Sequence, residues 1–445
     1  MPVSNQQHPV QRAVIVAGNR TPFVRAFSEY MSLDTIDLGV EAVRGLLERT
    51  GLSPDELDGV IWGGVLLPSL APNVAREIVI DLDLPASVEA NTVTRACASG
   101  LQAITDAVAK IERGEADVII AGGSDSTSNA TLAMPSDFVR AVAPFAMGRK
   151  KGLGGFFGML GGLMPPTKAI PKMPKVAERS TGEVMGESAE KMASIHSISR
   201  ASQDELAARS HQRAAEAWAN GLFDDEVTPV HVGSDEISQD TIVRANTGIA
   251  KMEKLRPVFS KEGTLTAANS STLTDGASAT LIMSEAKAKA LGLKPLAAFK
   301  SWAYAGVSPH DQVLKGPALS MPLALDRAGL TLADIDLVDM HEAFAAQVLS
   351  ILSMLEDEDF ARDELKRDHA VGAVDPSILN VHGGSIAIGH PFAATGSRMV
   401  NTMAHELSRS GKDTALLGIC AAGGLGASAI LERVSSDEES RGEGS

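Results

Sequence analysis

A chain of 445 residues is too long for one ordinary domain and implies two or three. Its composition, 44 % hydrophobic and 22 % charged, is that of a soluble globular protein, and a net charge of −16 argues against general nucleic-acid binding. Two cysteines cannot make a disulfide framework. No apolar run approaches a membrane span, and MPVSNQQHPV has no basic stretch followed by an apolar one, so no signal peptide is read and a cytoplasmic protein is expected.

Val14 to Gly18 reads as a first strand. Ile36, Val40, Val43 and Leu47 mark a helix stopped by Gly51. Leu52 to Leu57 is a short capped turn, and Val60 to Gly64 a strand ending in glycines. Val88 to Thr94 leads to Cys97, which sits among small residues just before a helix marked by Leu101, Ile104, Ala107, Val108 and Ile111. A thiol near a helix N-terminus is expected to be a better thiolate and nucleophile, although free cysteine is as often a small buried residue. Asp117 to Gly123 is another buried-type strand. Strands alternating with helices indicate an α/β fold.

From Met134 to about Ala267 the pattern breaks. Arg149 to Ala177 carries Arg149, Lys150, Lys151, Lys168, Lys172 and Lys175, no acidic residue, and a Gly-rich apolar run from Leu153 to Pro166. So many Gly and Pro residues predict neither a core strand nor a core helix. This basic, apolar segment suggests a surface for an anionic ligand, a membrane or a partner subunit, or a loop packed on its own domain. Helical pattern returns from Ser188 to Met192 and from Asp204 to Trp218.

After Leu281-Ile282-Met283 the first part of the chain echoes. Leu52 to Val60 resembles Leu330 to Val338, at an offset of 278; Asp117 to Gly122 resembles Asp413 to Gly418, at an offset of 296. A charged insertion around Glu356 to His369 accounts for the difference. Two duplicated α/β halves are predicted. At the larger offset Cys97 falls near Ala393, in the run Gly389 to Gly396, so equivalent loops facing across a pseudo-twofold would bring these stretches together.

Four stretches carry chemistry: Cys97-Ala98-Ser99-Gly100, His341-Glu342-Ala343-Phe344, Gly383 to Pro391, and Cys420 to Gly426. Each follows a strand, where ligands and catalysis sit in open α/β sheets. Singly, each has a structural explanation. Together, in this order and spacing, they resemble the thiolases, from about Arg12 to Arg433. The resemblance implies an α/β thiolase fold: two duplicated αβαβα halves with a loop domain inserted in the first. The expected parts are a disordered N-terminus (1–10), a first half (11–133 and 268–290), the loop domain (134–267), a second half (291–434) and an acidic disordered tail (435–445).

The same resemblance implies roles. Cys97 is the nucleophile that takes the acyl group, and His390 the base that deprotonates it. Cys420 is the acid that protonates the departing acetyl-CoA enolate. Backbone N–H groups of Cys97 and Ala422 form one oxyanion hole; His390 and His341 form the other. Many short-chain members carry Asn at position 341. The His form resembles thiolases paired with a hydratase/dehydrogenase subunit in fatty-acid β-oxidation, which also carry a long apolar and basic insert. Ser271, Arg244 and Met185 align with residues that bind CoA or line its acyl pocket. Val184 stands where acetoacetyl-specific enzymes often have His, implying a roomier pocket. The expected activity is degradative 3-ketoacyl-CoA thiolysis. A biosynthetic acetoacetyl-CoA thiolase, a decarboxylating ketoacyl synthase and a non-catalytic acyl-CoA-binding subunit stay open. CoA is implied as co-substrate, with no permanently bound cofactor or metal, and a homo-oligomer, a β-oxidation complex and peripheral membrane contact are implied as partners.

Overall fold

The computed structural model describes residues 11–132, 134–164, 170 and 177–434. The expected disordered ends, and Lys168, Lys172 and Lys175, lie outside them. Two compact units are separable, one of residues 11–129 and 177–434, the other of the described residues from 130 to 170.

The larger unit opens with β1 (Ala13–Arg20), β2 (Val24–Arg25), α1 (Thr35–Thr50), β3 (Gly59–Gly63), α2 (Val74–Asp81), β4 (Glu89–Val93), α3 (Ser99–Glu112) and β5 (Val118–Asp125). The small unit holds α4 (Ser136–Ala146) and α5 (Gly152–Gly162). The larger unit resumes with α6 (Met185–Ile195), α7 (Arg200–Ala219), a hairpin of β6 (Val230–Val232) and β7 (Asp235–Ile237), and α8 (Ile249–Met252). Then come β8 (Thr274–Ser284), α9 (Glu285–Ala290), β9 (Ala297–Gly306), α10 (Gly316–Ala328), β10 (Leu337–Met340), α11 (Ala345–Glu356) and α12 (Glu358–Asp363). The chain closes with α13 (Ser385–Ile388), α14 (Ala394–Ser410), β11 (Thr414–Ala421) and β12 (Leu425–Arg433).

The central sheet runs β10-β11-β12-β9-β1-β8-β5-β3-β4. From β1 outward, β8 and β5 pair antiparallel, then β3 and β4 parallel. From β9 outward, β12 and β11 pair antiparallel, then β10 parallel. The predicted repeat is therefore visible as one strand order used twice. The halves join at β1 and β9, where Val14 pairs Ala298 and Ile15 pairs Ala297.

α3 and α14 are equivalent in the two halves and cross in the central layer. A Cβ on Gly100 would meet the Ala393 carbonyl at 2.4 Å, and one on Gly396 the Leu101 nitrogen at 2.6 Å. Gly100 and Gly396 are related by the predicted offset of 296. Leu101, Ile104, Met399, Val400 and Met403, all buried, fill this layer together with inward residues of both sheet halves.

The extra length of the second half is not all at Glu356 to His369. α12 accounts for part of it. Another part is the loop before α14, which carries His390. The single parallel bridge Val338–Leu379 takes the place of the full β3–β4 ladder. Asn380 completes that edge with its side chain, accepting from the Met340 N–H at 2.7 Å and donating to the Met340 carbonyl at 3.0 Å.

The Gly-rich run from Leu153 forms a helix over residues 152–162 rather than a loop. No residue of α5 is buried, so it is not a core helix, but packing against α4 overrides the cost of its glycines. Phe145 and Phe156 lie with ring centroids 6.1 Å apart, and Gly162 sits against Ala141.

Candidate active site

Cys97 lies in the turn between β4 and α3. Ala96 has φ of +46°, a left-handed conformation that costs a non-glycine residue energy unless its surroundings fix it. Ser99 fixes it: its Oγ accepts the Arg95 N–H at 2.8 Å and donates to the Ala96 carbonyl at 2.6 Å. Asp125, at the end of β5, ties this region to the second half. Its buried carboxylate accepts from Val65 N–H at 3.0 Å, Leu66 N–H at 2.6 Å and Ala393 N–H at 2.8 Å. Burial pushes Asp125 up to about 7 against the pull of those three donors.

His390 arrives from the facing loop. Its N–H donates to Thr274 Oγ1 at 3.1 Å, its Nδ1 lies 2.7 Å from Thr395 Oγ1, and its Nε2 lies 3.2 Å from Cys97 Sγ. His341 follows β10, its N–H donating to the Gly418 carbonyl at 2.8 Å. Nδ1 of His341 is 2.8 Å from Ser385 Oγ, and its ring centroid is 4.1 Å from that of His390. Cys420, near the end of β11, is buried. The neighbouring Ala422 directs its backbone N–H at the Cys97 thiol, as does Cys97 its own.

Electrostatically the site rests neutral. Burial pushes the Cys97 thiol up to about 12, although the N–H groups of Ala422 and Cys97 oppose the rise. Burial pulls His390 down to about 3, with the Arg398 charge adding to it. His341 is lowered by burial and then by His390 and Arg398, and Cys420 is raised by burial and then by Cys97. Cys97 immediately precedes the N-cap of α3, near the helix end as expected, but burial opposes the expected lowering of its thiol. α3 starts at Ser99, beyond the thiol, and desolvation outweighs the backbone donors.

Of the other predicted residues, Ser271 is half-buried and its N–H donates to the Ala343 carbonyl at 2.9 Å, beside the His341 motif. Met185 is buried at the start of α6 in the same core as Phe344 and Cys420. Arg244 is exposed, and its N–H donates to His211 Nδ1 at 3.3 Å.

Sequence reasoning missed the supports of this site. Glu342, buried, accepts from Ser210 Oγ at 2.7 Å, Asn380 Nδ2 at 2.7 Å and the Ile386 N–H at 3.2 Å. A Cβ on Gly384 would collide with that carboxylate. Glu342 therefore anchors the loop from Asn380 to Ile386. An acid inside an otherwise apolar motif was the available signal. Arg398 and Asp339 form a buried ion pair at 2.9 Å beneath the histidines. Glu178 accepts the Gly423 N–H at 3.0 Å and so steadies the turn after Cys420.

Known proteins match this geometry over nearly the whole chain. The thiolase N-terminal domain matches residues 13–286 and the thiolase C-terminal domain residues 293–433. A 3-ketoacyl-CoA thiolase of Aeromonas salmonicida (strain A449) is 44 % identical over 425 residues, spanning 95 % of this chain and 97 % of that one. One from Yersinia enterocolitica is 45 % identical over 424 residues, with 95 % and 97 % covered. Human mitochondrial 3-ketoacyl-CoA thiolase, at 31 % identity, superposes with a TM-score of 0.81 over 96 % of this chain and 100 % of that one. The same human enzyme in complex with CoA gives 0.80 at 31 % identity, again over 96 % and 100 %. Acetyl-CoA acetyltransferase of Bacillus anthracis gives 0.80 at 30 % identity over 96 % and 100 %. With both domains matched in order and the fold shared from end to end, this chain belongs to the thiolase family of acyltransferases.

Proposed function

We propose that this protein cleaves 3-ketoacyl-CoA with CoA, giving acetyl-CoA and an acyl-CoA shortened by two carbons, in fatty-acid β-oxidation. The observation that carries the reading is the Cys97 Sγ to His390 Nε2 approach of 3.2 Å, with a second thiol, the buried Cys420, in the same site. His390 takes the thiol proton as Cys97 attacks the 3-keto carbon. Because both groups rest neutral, proton transfer accompanies attack. The C2–C3 bond breaks, the electron pair passes to the acetyl-CoA enolate, and Cys420 protonates C2. The proton held by His390 passes to the Cys420 thiolate, which restores both groups. CoA, deprotonated by the freed His390, then attacks the acyl-Cys97 thioester, and the expelled Cys97 thiolate takes that proton back from His390. N–H groups of Cys97 and Ala422 hold one oxyanion; His390 and His341 hold the enolate oxygen. Ser271, Met185 and Arg244 are assigned to the CoA and acyl path.

The condensing reaction, acetoacetyl-CoA formation, uses the same residues in reverse. The identity of 44–45 % to proteins named 3-ketoacyl-CoA thiolase favours the degradative reading. A cytoplasmic homo-oligomer belongs to the proposal; two unpaired cysteines stay reduced in that compartment. A hydratase/dehydrogenase partner, with channelling of its product, fits the His341 form. Peripheral membrane contact is assigned to the small unit.

Two variants test the chemistry. Cys97→Ala is expected to abolish covalent acylation and lower turnover by about a thousandfold or more. Cys420→Ala is expected to block deuterium exchange at C2 of acetyl-CoA while Cys97 still acylates. Persistent acylation without Cys97, or undiminished exchange without Cys420, would overturn the assignments.

A further inference from the structure

Cys97, His341 and His390 each place one ligand-type atom in a common space, within 4.8 Å of one another. His390 Nε2 stands 3.2 Å from the Cys97 sulfur. His341 Nε2 is buried in a residue with no exposed surface, and it has no hydrogen-bond partner among the described residues. Buried polar atoms are normally paired, so this nitrogen points to a ligand the protein chain does not supply.

Both rings are held from behind. Thr395 Oγ1 lies 2.7 Å from Nδ1 of His390, and Ser385 Oγ lies 2.8 Å from Nδ1 of His341. One nitrogen fixed by a hydrogen bond and the other left toward a shared centre is how metal-ligating imidazoles are presented. One thiolate and two imidazoles suit zinc. Bonds of about 2.3 Å to sulfur and about 2.0 Å to nitrogen place tetrahedral ligands about 3.5 Å apart. Cys97 and His390, at 3.2 Å, already lie near that spacing, and His341 offers its ligand atom within 4.8 Å of both. A sulfur and two nitrogens select zinc over magnesium or calcium, which require oxygen. Arg398, whose charge bears on both rings, is neutralised by Asp339 at 2.9 Å.

We propose that Cys97, His341 and His390 form a reversible zinc site, and that zinc bound there inhibits the enzyme by occupying its nucleophile. On binding, the Cys97 S–H bond breaks and its electron pair makes the Zn–S bond. The proton leaves to solvent, nothing is oxidised or reduced, and a water completes the tetrahedron. Inhibition rests on Cys97 being the nucleophile; metal binding does not.

The full-length protein is titrated with Zn²⁺ by calorimetry, and with Co²⁺ by absorbance as a spectroscopic substitute. One ion per chain, a thiolate-to-cobalt charge-transfer band, and thiolysis inhibited by Zn²⁺ but not Mg²⁺ and restored by a chelator are expected. Cys97→Ser loses the charge-transfer band. His341→Asn weakens Zn²⁺ binding by more than tenfold, and Ser385→Ala, which removes only the support of the ring, by about tenfold. Circular dichroism confirms that each variant is folded. Unchanged Zn²⁺ affinity in Cys97→Ser and His341→Asn, or the absence of the band in the unaltered protein, overturns the site. Binding with full activity retained overturns the inhibition. Acyl labelling of the metal-free enzyme then shows separately whether the nucleophile assignment fails.

Discussion

At the scale of single residues, the site is a set of groups whose charged forms burial disfavours. A thiol pushed up to about 12 beside an imidazole pulled down to about 3 makes a neutral pair at pH 7. The sign fixes a test. Because the thiolate gains population only as pH climbs toward the raised value, Cys97 alkylation by iodoacetamide in the free enzyme should accelerate about tenfold per pH unit from 6 to 9. Mass spectrometry would localise the label. A plateau near neutrality would instead mean a preformed thiolate–imidazolium pair. Keeping the pair neutral suits the attack step, since a thiolate stabilised by a lowered pKa would attack less readily. Cys97, His390, Cys420 and His341 were legible in the sequence as motif members. The supporting roles of Ser385, Thr395 and Asn380 were not. Their chemistry is ordinary at any surface, and only the fold turns their polar atoms toward buried partners.

Among elements, the decisive contact is the crossing of α3 and α14. Each contributes a glycine at its first turn because the facing backbone occupies the space a Cβ would need. Gly100→Ala should therefore cost about 1–3 kcal/mol, since the colliding atom is the Ala393 carbonyl and cannot rotate away. It should also slow acylation, because Ala393 lies in the loop of His390. Gly51→Ala is the control. Gly51 ends α1 at φ +63° with nothing near its Cβ position, so the cost is limited to about 1 kcal/mol of left-handed strain, with acylation unchanged. Urea midpoints and acylation rates of the two variants separate the cases. Equal rates in both would mean that the crossing does not set the Cys97–His390 approach. Most strands and helices of the first half were readable from apolar periodicity, and β10 and β11 of the second from their echo of the first. α5 was not, since a glycine-rich run becomes helical only when a neighbouring helix covers part of it.

For the whole molecule, the duplication explains why one site needs both halves. Cys97 comes from the first half, and His341, His390 and Cys420 from the second. The small unit stands outside this logic. Leu153, Phe157 and Met147 are exposed there, and Arg149, Lys150 and Lys151 accompany them in the sequence. Apolar side chains accompanied by cations favour an anionic lipid surface. Replacing both Leu153 and Phe157 with Asp should reduce co-sedimentation with phosphatidylserine-containing vesicles by about tenfold or more, with soluble-substrate turnover retained. Unchanged sedimentation would remove membrane contact from the proposal. Among the described residues no helix is long and apolar enough to cross a bilayer.

The sequence alone determined the class of fold, the repeat, and which residues carry thiol and imidazole chemistry. The fold class follows from periodicity, the repeat from similarity between stretches 278 and 296 positions apart, and the site residues from the resemblance of four motifs to the thiolases. Tertiary structure decided the rest. It set the approach of Cys97 to His390, which are 293 positions apart. It made the resting pair neutral, because desolvation depends on what packs around a group rather than on its neighbours in sequence. It also left His341 Nε2 without a partner, in a space shared with a thiol.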